Sequence, residues 1–459
     1  MVVSIGKLGS GARSERYYTD AVARGREDYY QGAGEAPGRW LGQGAAGLGL
    51  RGEVSADGLS TLMQGRDPAS GERLRRTLRD GAVTGFDLTF SAPKSVSILY
   101  AAAPDEVSRQ AREAHDRAVS EAVAYLEREA CATRRGTDGV ERLHGEGFVA
   151  AAFRHRTSRS GDPQLHTHVV VTNLTRAEAR YSTLDGRLLY AHAKTAGYLY
   201  QAALRSEITH RLGLEWGPVR NGRADLVAVP REVIEHFSTR RAEVVEELER
   251  QGTHTAQAAR VAALDTRRGK DYAVPVDRLR ADWRSRAEEF GLGRALGARP
   301  LARQPERGLD DEEVEEHGQR LAGPHGLTAQ ESTFDRRDVV RAFAEAHGQG
   351  AAIERVEQLA ERFLASPLAV RLESPATSRS HPGGPRYSTP ELLALERALV
   401  EGAERRRSGG AAVADESEVE AAIEARPTLS GEQRAMVRGL CSSGDGVQVV
   451  RGRAGTGKT

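Results

Sequence analysis

Cysteine is nearly absent from this chain: Cys131 and Cys441 are the only two, and they lie far apart. That excludes a disulfide framework and a cysteine-based zinc site. No stretch approaches the ~18 to 20 consecutive apolar residues that a membrane span requires. The opening MVVSIGKLGS is too short and too glycine-rich for the apolar core of a secretory signal. Lysine is scarce as well. Lys7, Lys94, Lys194, Lys270 and Lys458 stand against 66 basic residues in all, so arginine supplies nearly all the positive charge. With 65 acidic residues opposing it the net charge is +1, and the alanine and glycine excess alongside looks like the imprint of a GC-rich genome. Arginine as a class is therefore poor evidence for nucleic-acid binding. These absences exclude the secreted and membrane classes and fit a reducing cytoplasm.

What is present is a chain of 459 residues, 39% hydrophobic and 29% charged, as in soluble globular proteins. Its length suggests roughly three domains. The first ~290 residues alternate helical and strand-like patterns. In residues 85–100, GFDLTFSAPKSVSILY, Phe86, Leu88 and Phe90 alternate with Asp87, Thr89 and Ser91. That is the period of a half-buried strand, ended by Pro93 and followed by a helical run from Ser95. Residues 105–130 form an amphipathic helix. GFVAAAFRH (147–155) and LHTHVVVTN (165–173) read as two strands joined by SRSGDPQ, which carries a turn signal. Residues 187–212 and 231–264 are mostly helical. The charged stretch around DDEEVEEHGQR reads as a linker, and Thr389 with Pro390 reads as the capped start of a helix. SPATSRSHPGGP (374–385) is a loop or hairpin excursion, and VQVVRG near the end reads as a strand.

His155, His166 and His168 carry the strongest chemical signal. On a strand, residues two apart share a face, so His166 and His168 project together. If the preceding strand pairs antiparallel, His155 lies opposite one of them and three imidazoles converge. Three neutral imidazoles on rigid strands make a divalent-metal site with coordination positions left open. Asp87, flanked by apolar residues on another strand, needs a partner there: an imidazole N–H of that site, or an attacking hydroxyl for which it serves as base. Four tyrosines, Tyr17, Tyr18, Tyr29 and Tyr30, fall within fourteen residues of a chain that is only 5% aromatic. A tyrosine oxygen is a competent covalent nucleophile once a base or cation lies near it, since its unperturbed pKa is ~10. The same rings can equally pack a helix on a sheet.

The last eight residues, GRAGTGKT, match the phosphate-binding loop from Gly452 through Gly457 and Lys458 to Thr459. Lys458 would reach the terminal phosphates and Thr459 would bind Mg²⁺. Upstream, Gln433 in LSGEQR stands where an adenine-reading glutamine commonly sits in helicases. Without the following helix and an acidic Mg²⁺-binding strand, ATPase activity is not expected from these residues.

These elements in this order resemble the MobF-class conjugative relaxases, the relaxase–helicase proteins that nick and transfer plasmid DNA. The resemblance rests on the paired tyrosines, WLGQGAAGLGLRGEV from Trp40, DLTFSAPKSVSILY from Asp87, HRTSRSGDPQLHTHVVVTN from His155, FSTRR from Phe237 and the terminal nucleotide loop. It implies an α/β (α+β) fold: a histidine-hydrophobe-histidine nuclease domain with an antiparallel sheet flanked by helices, then a mostly helical partial helicase region. The implied boundaries are relaxase 1–295, polar linker 296–330 and the start of a superfamily 1 helicase region over 331–459. The resemblance assigns the metal to His155, His166 and His168, nucleophilic roles to Tyr17 and Tyr29 with Tyr18 and Tyr30 second in rank, and an assisting role to Asp87. It implies one divalent ion, Mg or Mn first and Zn or Ni accepted, with ATP and Mg²⁺ only in a longer parent. Its partners would be single-stranded DNA at a transfer-origin nick site and the conjugation machinery, a coupling protein and accessory DNA-binding proteins.

Three rival readings remain. A rolling-circle initiator or transposase uses the same metal fold, but its tyrosine typically follows the His-x-His strand, whereas here it precedes it. A three-histidine hydrolase would form no covalent adduct. An inactive DNA-binding fragment would keep the fold and lose the chemistry.

Overall fold

The structure is a computed structural model that describes residues 3–9, 38–76, 79, 81–136, 141–158, 160–250, 276–297, 308–373, 384–411 and 413–452. Its centre is a five-stranded sheet of β1 (Val3–Gly9), β2 (Arg39–Leu41), β3 (Val83–Ser91), β6 (Ala150–Thr157) and β7 (Pro163–Thr172), in the order β1-β3-β7-β6-β2. Two short strands, β4 (Ala132–Arg135) and β5 (Glu141–His144), pair separately, as do β8 (Thr175–Ala177) and β9 (Arg180–Ser182). Every pairing in the central sheet is antiparallel.

The alternation in β3 sorts its side chains as its sequence implies. Phe86 and Phe90 meet Tyr190 and Tyr200 of the long helix Gly186–Leu212 edge-on, at 6.5 and 5.5 Å between ring centroids. That helix and Asp105–Ala130 cover this face of the sheet, the latter presenting Ala111, Ala114, Ala118 and Ala122, all fully buried. Small residues every three or four positions let two helices approach closely. The opposite face is covered over part of its area by the helix Ala56–Met63, where Leu59 and Met63 join Ala151, Phe153 and Val170 in a buried cluster. The rest of that face carries the histidines.

The chain divides into two compact units, and the division differs from the boundary expected at 330/331. Residues 334–366 belong with the first unit. There the helices Arg336–Ala346 and Ile353–Leu364 pack on Gly186–Leu212, burying Val339, Val340, Phe343 and Val356. Arg205, fully buried, donates to the carbonyls of Gly222, Ala344 and His347. Sequence patterning could not place these helices, because amphipathic periodicity says that a face is covered and not by what. The segment taken as a linker is not featureless either. It contains the helix Asp311–Ala322, whose acidic first turn, Asp311, Glu312 and Glu313, complements the positive end of the helix dipole.

The second unit includes the helices Pro390–Arg405, Glu416–Glu424 and Gly431–Ser442. Thr389 caps the first by accepting from the Leu392 amide, with Pro390 at its first turn. Val370–Arg371 and Tyr387–Ser388 pair across the excursion at 374–385, of which 374–383 lie outside the described residues. VQVVRG is not a strand: Val447, Val449 and Val450 are exposed, and among the described residues no strand lies beside them. A strand needs a neighbouring strand to pair with, and an exposed run without one leaves its backbone to water. Among the described residues no helix is long and apolar enough to cross a membrane.

Candidate metal centre

The β6–β7 hairpin brings the histidines together. His155 stands directly opposite His166 in the register, and His168 follows two residues along the same face. The three ring centroids are 5.0 to 5.2 Å apart, and one ligand nitrogen from each lies within 4.8 Å of the others. His155 is buried, while His166 and His168 are half-buried, so the cluster is anchored beneath and open above.

Hydrogen bonds set the tautomers. His166 Nδ1 lies 2.8 Å from the Gln164 carbonyl, which can only accept, so Nδ1 carries the proton. His168 Nδ1 lies 3.0 Å from both carboxylate oxygens of Asp87 and 3.1 Å from Thr89 Oγ1. An ionised carboxylate also only accepts, so this Nδ1 is again the donor. Both rings therefore offer the Nε2 lone pair. A carboxylate behind a ligating imidazole is the usual support for a metal-bound histidine. Metal–nitrogen distances of ~2.0 to 2.2 Å put three nitrogens on one ion roughly 3.0 to 3.6 Å apart, so the convergent donor set fits a divalent cation once the rings draw together.

On the far side of β7, Thr167 points the opposite way from its two histidine neighbours. His115 bridges Thr167 Oγ1 and the Tyr200 hydroxyl at 2.8 Å each, fully buried. Burial holds its pKa well below the ordinary histidine value, so it is neutral. Beside the hairpin turn, Lys94 donates to the Pro163 carbonyl at 2.9 Å. Burial pushes its pKa down to about 8, Asp162 opposing that shift and Arg286 adding to it.

Sequence reasoning named the triad and Asp87, and the structure brings all four together. It missed Thr89, although the two-residue period from Asp87 puts it on the same face. It also missed His115, whose role as a strut depends on which helix covers the sheet. Tyr17, Tyr18, Tyr29 and Tyr30 lie outside the described residues, as do Gly457, Lys458 and Thr459. Gly452 is exposed, and Gln433 belongs to the second unit, where its side chain accepts from the Ser430 amide at 2.8 Å in a capping box.

A family model described as TrwC relaxase matches residues 11–290, more than half of the chain. The chain belongs to the TrwC relaxase family. These are the MobF-class conjugative relaxases that its motifs resemble. Two Escherichia coli relatives, each named multifunctional conjugation protein TraI, are 36% and (strain K12) 35% identical over 306 residues, 63% of this chain. The chain spans 16% of the length of these relatives. Among solved structures, conjugative relaxase TrwC in complex with oriT DNA is similar in its metal-free form (31% identity, TM-score 0.54) and its metal-bound form (31% identity, TM-score 0.55). TrwC complexed with a 27-mer DNA comprising the recognition hairpin and the cleavage site is 30% identical with a TM-score of 0.54. Each of the three alignments covers 63% of this chain and 98% of the solved one.

Proposed function

We propose that this TrwC-family chain is a metal-dependent relaxase that nicks single-stranded DNA at a plasmid transfer origin, with site and strand specificity, and transfers the cut strand. The observation that carries the reading is the convergence of His155, His166 and His168 with Asp87 behind His168. The solved TrwC complexes with oriT DNA, one of them metal-bound, support it.

The three imidazoles would hold one divalent ion, with Mg or Mn the leading candidates and Zn or Ni compatible with the same donors. When bound, such an ion polarises a non-bridging phosphate oxygen and offsets charge in the transition state. In this reading the Tyr17 hydroxyl loses its proton and its oxygen attacks phosphorus. The P–O3′ bond to the nucleotide on the 5′ side breaks, and that oxygen leaves as a free 3′ hydroxyl once protonated. The 5′ end remains as a phosphotyrosine, so the phosphodiester energy is retained and the step is reversible. Tyr29 serves a second transfer while Tyr17 is occupied, and Tyr18 and Tyr30 pack or contact DNA. Asp87 acts by orienting His168, since both its oxygens lie within hydrogen-bond reach of that ring.

The relaxase domain is assigned to 1–295, a connector to 296–330 and the beginning of a helicase region to 331–459, with the helices of 334–366 packed on the relaxase unit. Gln433 and the loop Gly452, Gly457, Lys458 and Thr459 serve ATP and Mg²⁺ binding in a longer parent. A coupling protein and accessory DNA-binding proteins are the further partners, and the cytoplasm is the compartment.

The test is incubation of the purified chain with a single-stranded oligonucleotide carrying the cognate nick site, followed by a denaturing gel. A covalent protein–DNA adduct that disappears with chelator and returns with Mn²⁺ is expected. Hydrolysed ends without an adduct would instead identify a three-histidine hydrolase.

A further inference from the structure

The β6–β7 hairpin is irregular at the place where it must be most exact. His155 pairs with His166, yet Thr157 pairs with Pro163, so two steps along β6 correspond to three along β7. A bulge of this kind re-aims side chains, and a slip of one residue in a strand sends every side chain to the opposite face. At the triad such a slip would separate His155 from His166 and His168. Something outside the two strands has to hold the register.

Asp162 sits in the turn, with only 2% of its surface exposed. Within the turn, the Ser158 amide donates to the Asp162 carbonyl at 2.8 Å and the Asp162 amide donates to Ser158 Oγ at 3.2 Å. From outside, the Asp162 carboxylate receives the Thr239 amide at 2.9 Å, the Thr239 hydroxyl at 3.3 Å and the Arg286 guanidinium at 3.4 Å. The turn's neighbours are gripped too: Trp283, fully buried, donates its indole N–H to the Gly161 carbonyl at 2.9 Å, and Lys94 holds the Pro163 carbonyl. Arg286 stacks on Phe237, 4.4 Å from the ring centroid. FSTRR is thereby given work: Phe237 seats the arginine and Thr239 presents two donors to the carboxylate.

We infer that Asp162 is a positioning residue for the histidine cluster, fixing the register of the β6–β7 hairpin so that three imidazoles share one face. The inference rests on the reading of that cluster as a metal site. Asp162 is not one of the three clustered histidines and acts through the strands that carry them. Its carboxylate ties the bulged turn to Thr239 at the start of one helix and Arg286 on another, and a charged acceptor held by a backbone amide, a hydroxyl and a guanidinium is a strong tether.

The test measures Mn²⁺ binding by titration calorimetry on the whole chain, with thermal unfolding of each variant alongside. Asp162→Ala is expected to lower Mn²⁺ affinity about tenfold or more, as loss of support behind a metal ligand does. Asp162→Asn, which keeps an acceptor for the Thr239 amide, is expected to recover part of that loss. Val356→Ala, in a helix remote from the hairpin in sequence, serves as a control that lowers thermal stability and leaves Mn²⁺ affinity at the wild-type value. Should Asp162→Ala not fold, Thr239→Val removes one hydroxyl contact and is expected to weaken Mn²⁺ binding in the same direction. Wild-type affinity in a folded Asp162→Ala protein, or in Thr239→Val where that is the variant measured, overturns the inference alone. A wild-type chain that binds no Mn²⁺ overturns the metal reading and this inference with it.

Discussion

His168 directs its Nδ1 hydrogen at both oxygens of Asp87, 3.0 Å from each, across the β3–β7 ladder. The contact joins residues 81 positions apart, and it leaves Nε2 as the only lone pair that His168 can offer.

Replacing Asp87 by Asn keeps the shape but allows the amide to present a donor to Nδ1. Metal affinity should fall ~10- to 100-fold. Titration of wild type and Asp87→Asn with Mn²⁺ checks this; equal affinities would show that the carboxylate does not set the ring.

His166→Ala removes one of three donors from a half-buried position. Metal binding should be lost while the melting temperature of the metal-free protein stays close to wild type. Unchanged metal affinity would count decisively against the cluster as a metal site.

Tyr17→Phe removes only the nucleophilic oxygen and keeps the ring. Formation of the covalent DNA adduct should collapse, whereas Tyr29→Phe should nick normally and lose only the second transfer. An adduct formed by Tyr17→Phe at the wild-type rate would move the role to Tyr18.

Burial lowers the pKa of His192 to about 4, with Arg337 nearby adding to that shift. The unfolded chain takes up this proton near the ordinary value of 6.5 and the folded chain does not. Stability therefore rises with pH between about 4 and 6.5, and is lost as pH falls through that window. Between pH 6.5 and roughly pH 5 the loss from this one group is about 2 kcal/mol. His192→Gln should flatten the dependence of melting temperature on pH over this range; an unchanged slope would assign it to other groups such as His115.

Arg205 predicts the consequence of cutting the chain at the expected domain boundary. Removing residues 334–366 exposes the helix Gly186–Leu212 and takes away two of the carbonyls that accept from a buried guanidinium, whose pKa burial lowers to about 10. A chain ending at 330 should melt well below one ending at 366. Equal melting temperatures would mean that these helices add nothing to the relaxase unit.

The sequence by itself determined whatever has a short period. A two-residue alternation put Phe86, Leu88 and Phe90 on one face and Asp87 on the other, and put His166 beside His168. The Gly-Asp-Pro turn signal announced a hairpin, and Thr389-Pro390 announced a helix start. Those features depend on neighbouring residues and on backbone geometry, so they are legible without a fold. Only the tertiary structure decided that His155 faces His166 beside a bulge, that Asp87 stands behind His168, and that Thr239 and Arg286 converge on Asp162. It also decided that residues 334–366 cover the helix Gly186–Leu212 and that VQVVRG has no strand beside it among the described residues. The physical reason is that strand register and helix docking are settled by contacts between distant residues, through shape and buried hydrogen bonds that local periodicity does not encode.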